Sequence, residues 1–395
     1  MFRRPVQGAA CAILTTLVAA SPAVALSPSG VRRGLAAQSR YLSATSGAYV
    51  RDLTTGRTLY SRRATTTRSP ASNEKLLTTT AALLRLGPGA RLRTTLRAAA
   101  APVDGVIGGD VALVGAGDPY LSTSQLRMLV SQLAALGVTE ITGRVLGDGT
   151  FFDNRRGSYD SGYAYDRDIG GSLGGLTLDE GVGSDPAAHA ASALRRALLA
   201  ADIVVGKGAH AGSLPAAGTV VASTVSAPLS TLIARINVPS DNFAAETLLK
   251  TLGATFGGAG TTPAGAAVVR RTLAPLGVHA RVVDGSGLSR ADHVSPRTLV
   301  TLLSSLALRP EGPALRASLP IAGRTGTLEH RMRHSAAAGR CQAKTGTLNG
   351  VSALSGFCTA AGGDTVAFSF VENGMSAYSA KQVEDRMTVL LARLS

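Results

Sequence analysis

Tryptophan is absent from the 395 residues, and aromatic side chains make up 4% of them. Sequence-tolerant nucleic-acid binding relies on aromatic platforms interleaved with basic residues. That pattern is missing here, as are a basic helix and zinc-ligand spacing. The formal charge of +15 therefore does not point to nucleic acid. Lysine is scarce: of 40 Lys plus Arg, five are Lys (Lys75, Lys207, Lys250, Lys344 and Lys381). The positive excess is arginine, and it suits contact with an anionic polymer or a membrane surface. Charged residues are 16% and hydrophobic residues 45%, the balance of a globular chain long enough for two or three domains.

Long apolar runs are also lacking. Beyond the first 25 residues none approaches the ~18 residues of a membrane span. Those first residues, 1–25, read as a secretory signal. Arg3 and Arg4 form the positive region, Ala9 to Ala20 the short apolar run, and Ala23-Val24-Ala25 a small-x-small cleavage site. The expectation is an exported chain starting near Leu26, with an uncleaved anchor as the alternative. Only three cysteines occur. Cys11 leaves with the signal, so Cys341 and Cys358 remain, in a compartment where disulfides persist. They flank Asn349-Gly350, a strong two-residue hairpin turn. Counting outward, 348 faces 351 and 341 faces 358. If 348:351 is a hydrogen-bonded pair, 341:358 is a non-hydrogen-bonded one, where Cα atoms lie about 4.5 Å apart. That is within disulfide range, so a cross-strand bridge is expected; two buried free thiols are the alternative.

Along the chain, Gly47 to Leu53 and Arg57 to Arg62 alternate around Thr54-Thr55-Gly56 as a β-hairpin. Ser69 reads as an N-cap with Pro70 at the first helical position, and Gly87-Pro88 as the stop. From about 96 to 225 the texture changes. Asp110 to Val114 and Ile141 to Leu146 read as strands, 151–185 as loop, Ala187 to Ala201 as helix and Ile203 to Val205 as strand. Helical patterns return at Pro228 to Ile236 and Phe243 to Leu252. Strands follow at Cys341 to Leu348, Val351 to Thr359 and Thr365 to Glu372. Last comes a helix whose stripe of Val383, Met387, Leu390, Leu391 and Leu394 suits packing on a sheet. The expected organisation is a split catalytic unit, 26–95 plus 226–395, around an inserted domain at 96–225. The N-terminal hairpin and C-terminal strands would share one antiparallel sheet.

Three motifs carry the chemistry: Ser72-Asn73-Glu74-Lys75, Ser240-Asp241-Asn242 and Lys344-Thr345-Gly346. By composition alone Ser-Asp-Asn is expected about 0.02 times and Lys-Thr-Gly about 0.06 times. A serine hydroxyl needs a base to become a nucleophile. None of His189, His210, His279, His293, His330 and His334 falls in a catalytic signature. Lys75, three residues after Ser72 on one helical face, is the nearest base. It must be neutral to act, and burial and the Lys344 charge would both lower its pKa.

This set resembles the Ser-x-x-Lys, Ser-Asp-Asn and Lys-Thr-Gly motifs of penicillin-binding proteins and β-lactamases. The 168-residue separation of Ser72 and Ser240 sets the chain apart from compact class A β-lactamases. With Gly115-Ala116-Gly117-Asp118-Pro119, Asp284-Gly285-Ser286-Gly287-Leu288-Ser289-Arg290 and the run from Lys344 to Gly356, it resembles low-molecular-mass class C penicillin-binding proteins. These are D-alanyl-D-alanine carboxypeptidases and endopeptidases. The resemblance implies an α+β, penicillin-binding/β-lactamase-like transpeptidase fold, an antiparallel sheet flanked by helices with an inserted smaller domain. It implies peptidoglycan stem peptides as substrate, acylation by β-lactams, and no metal or organic cofactor; the positive charge suggests anionic wall polymer or a membrane as a further surface. Ser72 would be the nucleophile, Lys75 the base, and Ser240 a proton relay to the leaving amine. Asn242 would bind the substrate amide, and Lys344, Thr345, Gly346 and Thr347 the terminal carboxylate. The oxyanion would lie on the Ser72 and Thr347 N–H groups. Asp241 is expected to fix its loop and Glu74 to face outward. Two features depart from the pattern. The insertion is short, so a third domain would be vestigial or missing. Ala322-Gly323-Arg324-Thr325-Gly326-Thr327-Leu328 sits where relatives usually carry an acidic residue before Gly-Thr-Leu; it echoes the Lys-Thr-Gly strand but offers Arg, and reads as structural, not as a second clamp. A β-lactamase-like hydrolase and a non-catalytic wall-binding scaffold are the competing readings.

Overall fold

The computed structural model describes residues 25–395. Apart from Ala25, the signal read at 1–25 lies outside the described residues. Helix α1 (Pro28–Gln38) starts behind Ser27, whose hydroxyl accepts from Gly30 N. The expected hairpin, β1 (Gly47–Asp52) and β2 (Thr58–Arg62), follows. A 3-10 turn at Ala71–Asn73 leads into α2 (Glu74–Leu86), which Gly87 ends at φ 82°. The N-cap expected at Ser69 does not form, since its Oγ is buried without a partner. Ala71 takes a left-handed φ of 47° instead, and the chain enters the helix through the tighter turn.

The middle of the chain holds β3 (Arg93–Ala98), β4 (Val106–Ile107), β5 (Val111–Val114), α3 (Thr123–Ala135), β6 (Glu140–Ile141) and β7 (Val145–Asp148). Then come α4 (Pro186–Leu199), β8 (Val204–Val205), β9 (Ala209–Ala211) and β10 (Thr219–Val225). They build a five-stranded sheet, β10-β3-β5-β7-β9, and a three-stranded sheet, β4-β6-β8. The single strand read at 141–146 is two strands in different sheets. Gly143 divides them, because a Cβ there would lie 2.3 Å from the Gly109 backbone. Leu126, Leu129 and Leu133 of α3 and Ala190, Leu194 and Leu198 of α4 close the core of this region with Leu96, Leu113 and Val145.

The rest comprises α5 (Leu229–Asn237), α6 (Asn242–Phe256), α7 (Thr262–Leu273), α8 (Pro296–Ala307), α9 (Gly312–Ala317), β11 (Cys341–Leu348), β12 (Val351–Thr359), β13 (Thr365–Asn373) and α10 (Ala377–Ala392). The strands join the N-terminal hairpin in one sheet ordered β11-β12-β13-β1-β2, antiparallel throughout. Both faces are covered. Ala353, Phe357, Ala367 and Val371 face the core made with α2, α5, α6, α7 and α8. Leu354, Phe368 and Phe370 face the one made with α1 and α10. That accounts for the unbroken burial of β12 from Val351 to Cys358. The α10 stripe packs on the sheet as expected. Cys341 and Cys358 are opposite one another, 4.1 Å apart at Cα, and bonded. Closing that span is worth about 3 kcal/mol in the chain-entropy account. No helix of the described residues is long and apolar enough to cross a membrane.

Candidate active site

The site forms where the turn before α2, the start of α6 and strand β11 meet. Ser72, half-buried in the 3-10 turn, is tied to the sheet by its neighbour: Asn73 Nδ2 donates to Ser355 Oγ, which donates to Ser369 Oγ on β13. Gly287, at φ 79°, lies directly under Ala71, where a Cβ would stand 2.0 Å from the Ala71 carbonyl oxygen. The loop 284–287 therefore supports the turn that carries Ser72.

Lys75 is fully buried and spends its three donors inside the site. Its Nζ lies 3.1 Å from Ser72 Oγ, 2.6 Å from Asn242 Oδ1 and 2.8 Å from the Ser286 carbonyl. The last two atoms can only accept. In the neutral amine the two N–H groups therefore stay on Asn242 and Ser286, and the lone pair faces the Ser72 hydroxyl. Burial lowers the Lys75 pKa to about 8, against the opposing pull of Asp284, Glu246, Asp241 and Glu74. The expected contribution of Lys344 does not appear among these causes. The effect runs the other way: burial, and then the Lys75 charge, hold Lys344 well below the ordinary lysine value. Acylation of Ser72 should accordingly climb about tenfold per pH unit and level off above about pH 8, since only the neutral amine can take the proton. Burst kinetics with a chromogenic β-lactam from about pH 6 to about pH 9 would show this, and a flat profile would count against Lys75 as the base.

Asp241 caps α6 through Ala244 N and accepts from the Tyr120 hydroxyl at 2.8 Å, which fixes the loop as expected. Asn242 follows as the first residue of α6; its Nδ2 donates to the Asp168 carbonyl, so a segment of the 151–185 loop reaches the site. Ser240 sits in the same loop with a left-handed φ of 69°, but it is not among the partners of Lys75. On β11 the buried Lys344 Nζ donates to the Thr345 carbonyl, and Thr345 Oγ1 donates to Thr327 Oγ1 at 2.7 Å. Gly346 lets the strand touch the nucleophile turn: a Cβ there would lie 2.6 Å from the Pro70 carbonyl oxygen and 3.2 Å from Ser72 N. Thr347, next along, is exposed.

Glu74 does not face outward. It is fully buried, and neither carboxylate oxygen has a partner. Burial, then Asp284 and Glu246, raise its pKa well above the usual range. Glu246, one helical turn after Asn242, accepts from Gly285 N and Ser286 N, and so aims the Ser286 carbonyl at Lys75. Burial and Asp284 push Glu246 up to about 8. Asp284 in turn accepts from Gly287 N and Ser289 N at 2.7 Å. The sequence reading missed the roles of Ser286, Glu246, Asp168 and Thr327. Glu246 had one visible signal, its four-residue spacing from Asn242 on the same helical face.

The chain is similar to known proteins in both sequence and fold. A D-alanyl-D-alanine carboxypeptidase of Actinomadura sp. is 34% identical over 88% of this chain and 81% of its own length. A carboxypeptidase DacB of Mycolicibacterium smegmatis is 30% identical over 82% of this chain and 75% of its own length. Among solved structures, penicillin binding protein 4 of Haemophilus influenzae superposes with a TM-score of 0.78 at 21% identity, covering 90% of this chain and 98% of that one. A second structure of that protein, complexed with a β-lactam, gives a TM-score of 0.74 with the same coverage. The model of one family matches residues 34–182 and 177–394, nearly the whole described chain, and by that match the chain belongs to the D-Ala-D-Ala carboxypeptidase 3 (S13) family.

Proposed function

We propose that this protein is an exported serine DD-peptidase that cleaves the D-Ala-D-Ala end of peptidoglycan stem peptides through an acyl-enzyme on Ser72. The observation that carries the reading is Lys75 Nζ, held 3.1 Å from Ser72 Oγ by two groups that can only accept. The Ser72 proton passes to Lys75 as Oγ bonds to the carbonyl carbon of the penultimate D-alanine. The oxyanion sits on the N–H groups of Ser72 and Thr347; one such donor is worth about 3–4 kcal/mol. The C–N bond then breaks, and the leaving amine takes its proton from Lys75 by way of Ser240. Asn242, through an amide N–H, orients the substrate backbone. Lys344 and Thr345, on a strand brought close by Gly346, together with Thr347, hold the terminal carboxylate. Water hydrolyses the ester. β-Lactams resemble the acyl-D-Ala-D-Ala end, so they acylate Ser72, and the ring-opened acyl group leaves slowly.

We read residues 96–225 as the inserted domain; both smaller sheets, apart from the first three residues of β3, fall between the two parts of the catalytic unit. The signal and the Cys341–Cys358 disulfide support export. The +15 charge suits a location against anionic wall polymer or membrane.

Incubating the mature protein with benzylpenicillin and weighing it intact tests the reading. One stable adduct, located after digestion on the peptide that contains Ser72, and D-alanine release from a pentapeptide stem are expected. Fast drug turnover without an adduct would favour a β-lactamase-like hydrolase. Neither adduct nor turnover would leave a non-catalytic wall-binding scaffold.

A further inference from the structure

Thr327 lies outside all three motifs, in the segment that echoes Lys-Thr-Gly. That segment is a 3-10 turn, Gly326–Leu328, and not a strand. Arg324, in the place of the lysine, lies against Gly339. The turn itself is pinned from both sides of the cleft. Thr327 N donates to the carbonyl of Val238, two residues before Ser240. Gly326, at φ 55°, lies directly on that carbonyl, where a Cβ would be 2.3 Å away. On the other side Ile321 bridges to Gln342, and Ala343 N donates to the Pro320 carbonyl, which ties the segment to β11. The Thr327 side chain is exposed between these anchors, and its Oγ1 accepts the hydroxyl of buried Thr345 at 2.7 Å.

A hydroxyl has one hydrogen to give. Thr345, the residue read as a carboxylate ligand, gives its hydrogen to Thr327. The hydrogen left over in the pair belongs to Thr327 and lies on the open side. We propose that Thr327 is a specificity-determining residue for the anionic C-terminus of the substrate. The Thr345–Thr327 hydroxyl pair acts as a two-link chain whose outer hydrogen binds the terminal carboxylate. The inference rests on the reading of Ser72, Lys75 and Lys344-Thr345 as a DD-peptidase site. It adds a contact from a segment that the motifs do not include. A carboxylate draws such a hydrogen more strongly than a neutral group, because hydrogen bonds to ionised acceptors are about twice as strong as neutral ones.

Two thioesters with the same acyl-D-alanyl group test this, one with a mercaptoacetate leaving group and one with ethanethiol. Only the first carries a carboxylate. In Thr327→Val, kcat/KM for the mercaptoacetate ester should fall about tenfold, mostly through KM, while the ethanethiol ester changes less than about twofold. Thr327→Ser should restore the wild-type preference, since it keeps the hydroxyl and removes only a methyl group. Equal losses on both esters would mean that the turn merely supports β11, and would overturn the inference. So would an unchanged preference. Failure of the underlying reading looks different: the wild type itself would turn over neither ester and form no penicillin adduct.

Discussion

Lys75→Met should slow penicillin acylation of Ser72 by about 10³-fold or more, and Ser72→Ala should abolish the adduct altogether. Methionine nearly fills the volume of the lysine and removes the amine, so the comparison isolates the base. General-base action is typically worth 10² to 10⁴, and nucleophile and base act as a unit. The second route to catalysis, direct activation by histidine, is closed here: Lys75 is the titratable group that bonds Ser72 Oγ. Asn242 Oδ1 and the Ser286 carbonyl would each lose a donor, at about 1–3 kcal/mol apiece, offset by no longer burying an ammonium. Circular dichroism should therefore show a folded protein. Intact mass against time gives the rate. A folded Lys75→Met protein acylated within a few-fold of the wild-type rate would remove Lys75 as the base.

Gly346→Ala should cost at least about 10²-fold in the same assay, although alanine is the smallest side chain available. Its Cβ would meet the Pro70 carbonyl oxygen at 2.6 Å, with Ala71 Cβ and Ser72 N at 3.2 Å. These atoms are backbone or a buried methyl group on both sides, so no flexible side chain can move aside. Strand β11 and the Ser72 turn must separate by several tenths of an ångström. Displacements near 1 Å at reacting atoms cost about 10² in rate. The comparison is Gly89→Ala, where a Cβ would have no atom within 4 Å and the rate should not change. If Gly346→Ala acylated as fast as Gly89→Ala, close contact between strand and nucleophile would not matter for the reaction.

Legibility in the sequence followed the range of the signal. The β1–β2 and β11–β12 hairpins, the α10 stripe and the Gly87 stop depend on neighbours in the chain, and each was read to within a few residues. The helices the sequence reading leaves out include α1, α3, α7 and α8. Yet each follows a Ser or Thr at its N-cap (Ser27, Ser122, Thr261 and Ser295), and three of them carry a proline in the first turn. Those signals are local to the chain and mark the helix starts. The expected Ser69 cap failed for another reason: Gly287, more than 200 residues away, supports a left-handed Ala71 that local preference does not favour.

The electrostatics of the site were the least legible part. Glu74 looked like a solvated residue of the first helical turn. Only the packing of α6 and the 284–289 loop against α2 makes it a buried acid beside Asp284 and Glu246. The depressed pKa of Lys75 and its main cause, burial, follow from the reading; the Lys344 contribution does not, and the opposing pull of Asp284 and Glu246 is a property of the assembled core.

By itself the sequence determined the reaction class and the family, because Ser72, Lys75, Asn242 and Lys344 belong to short motifs whose residue types specify their chemistry. It also determined the disulfide, because hairpin register follows from counting outward from Asn349-Gly350. Only the tertiary structure decided which groups surround Lys75, how Gly346 brings the strand onto the nucleophile, and that Thr327 touches Thr345. These contacts join segments separated by 18 to 274 residues of chain, or fix where a loop lies against a helix, and they arise from packing that no local pattern encodes.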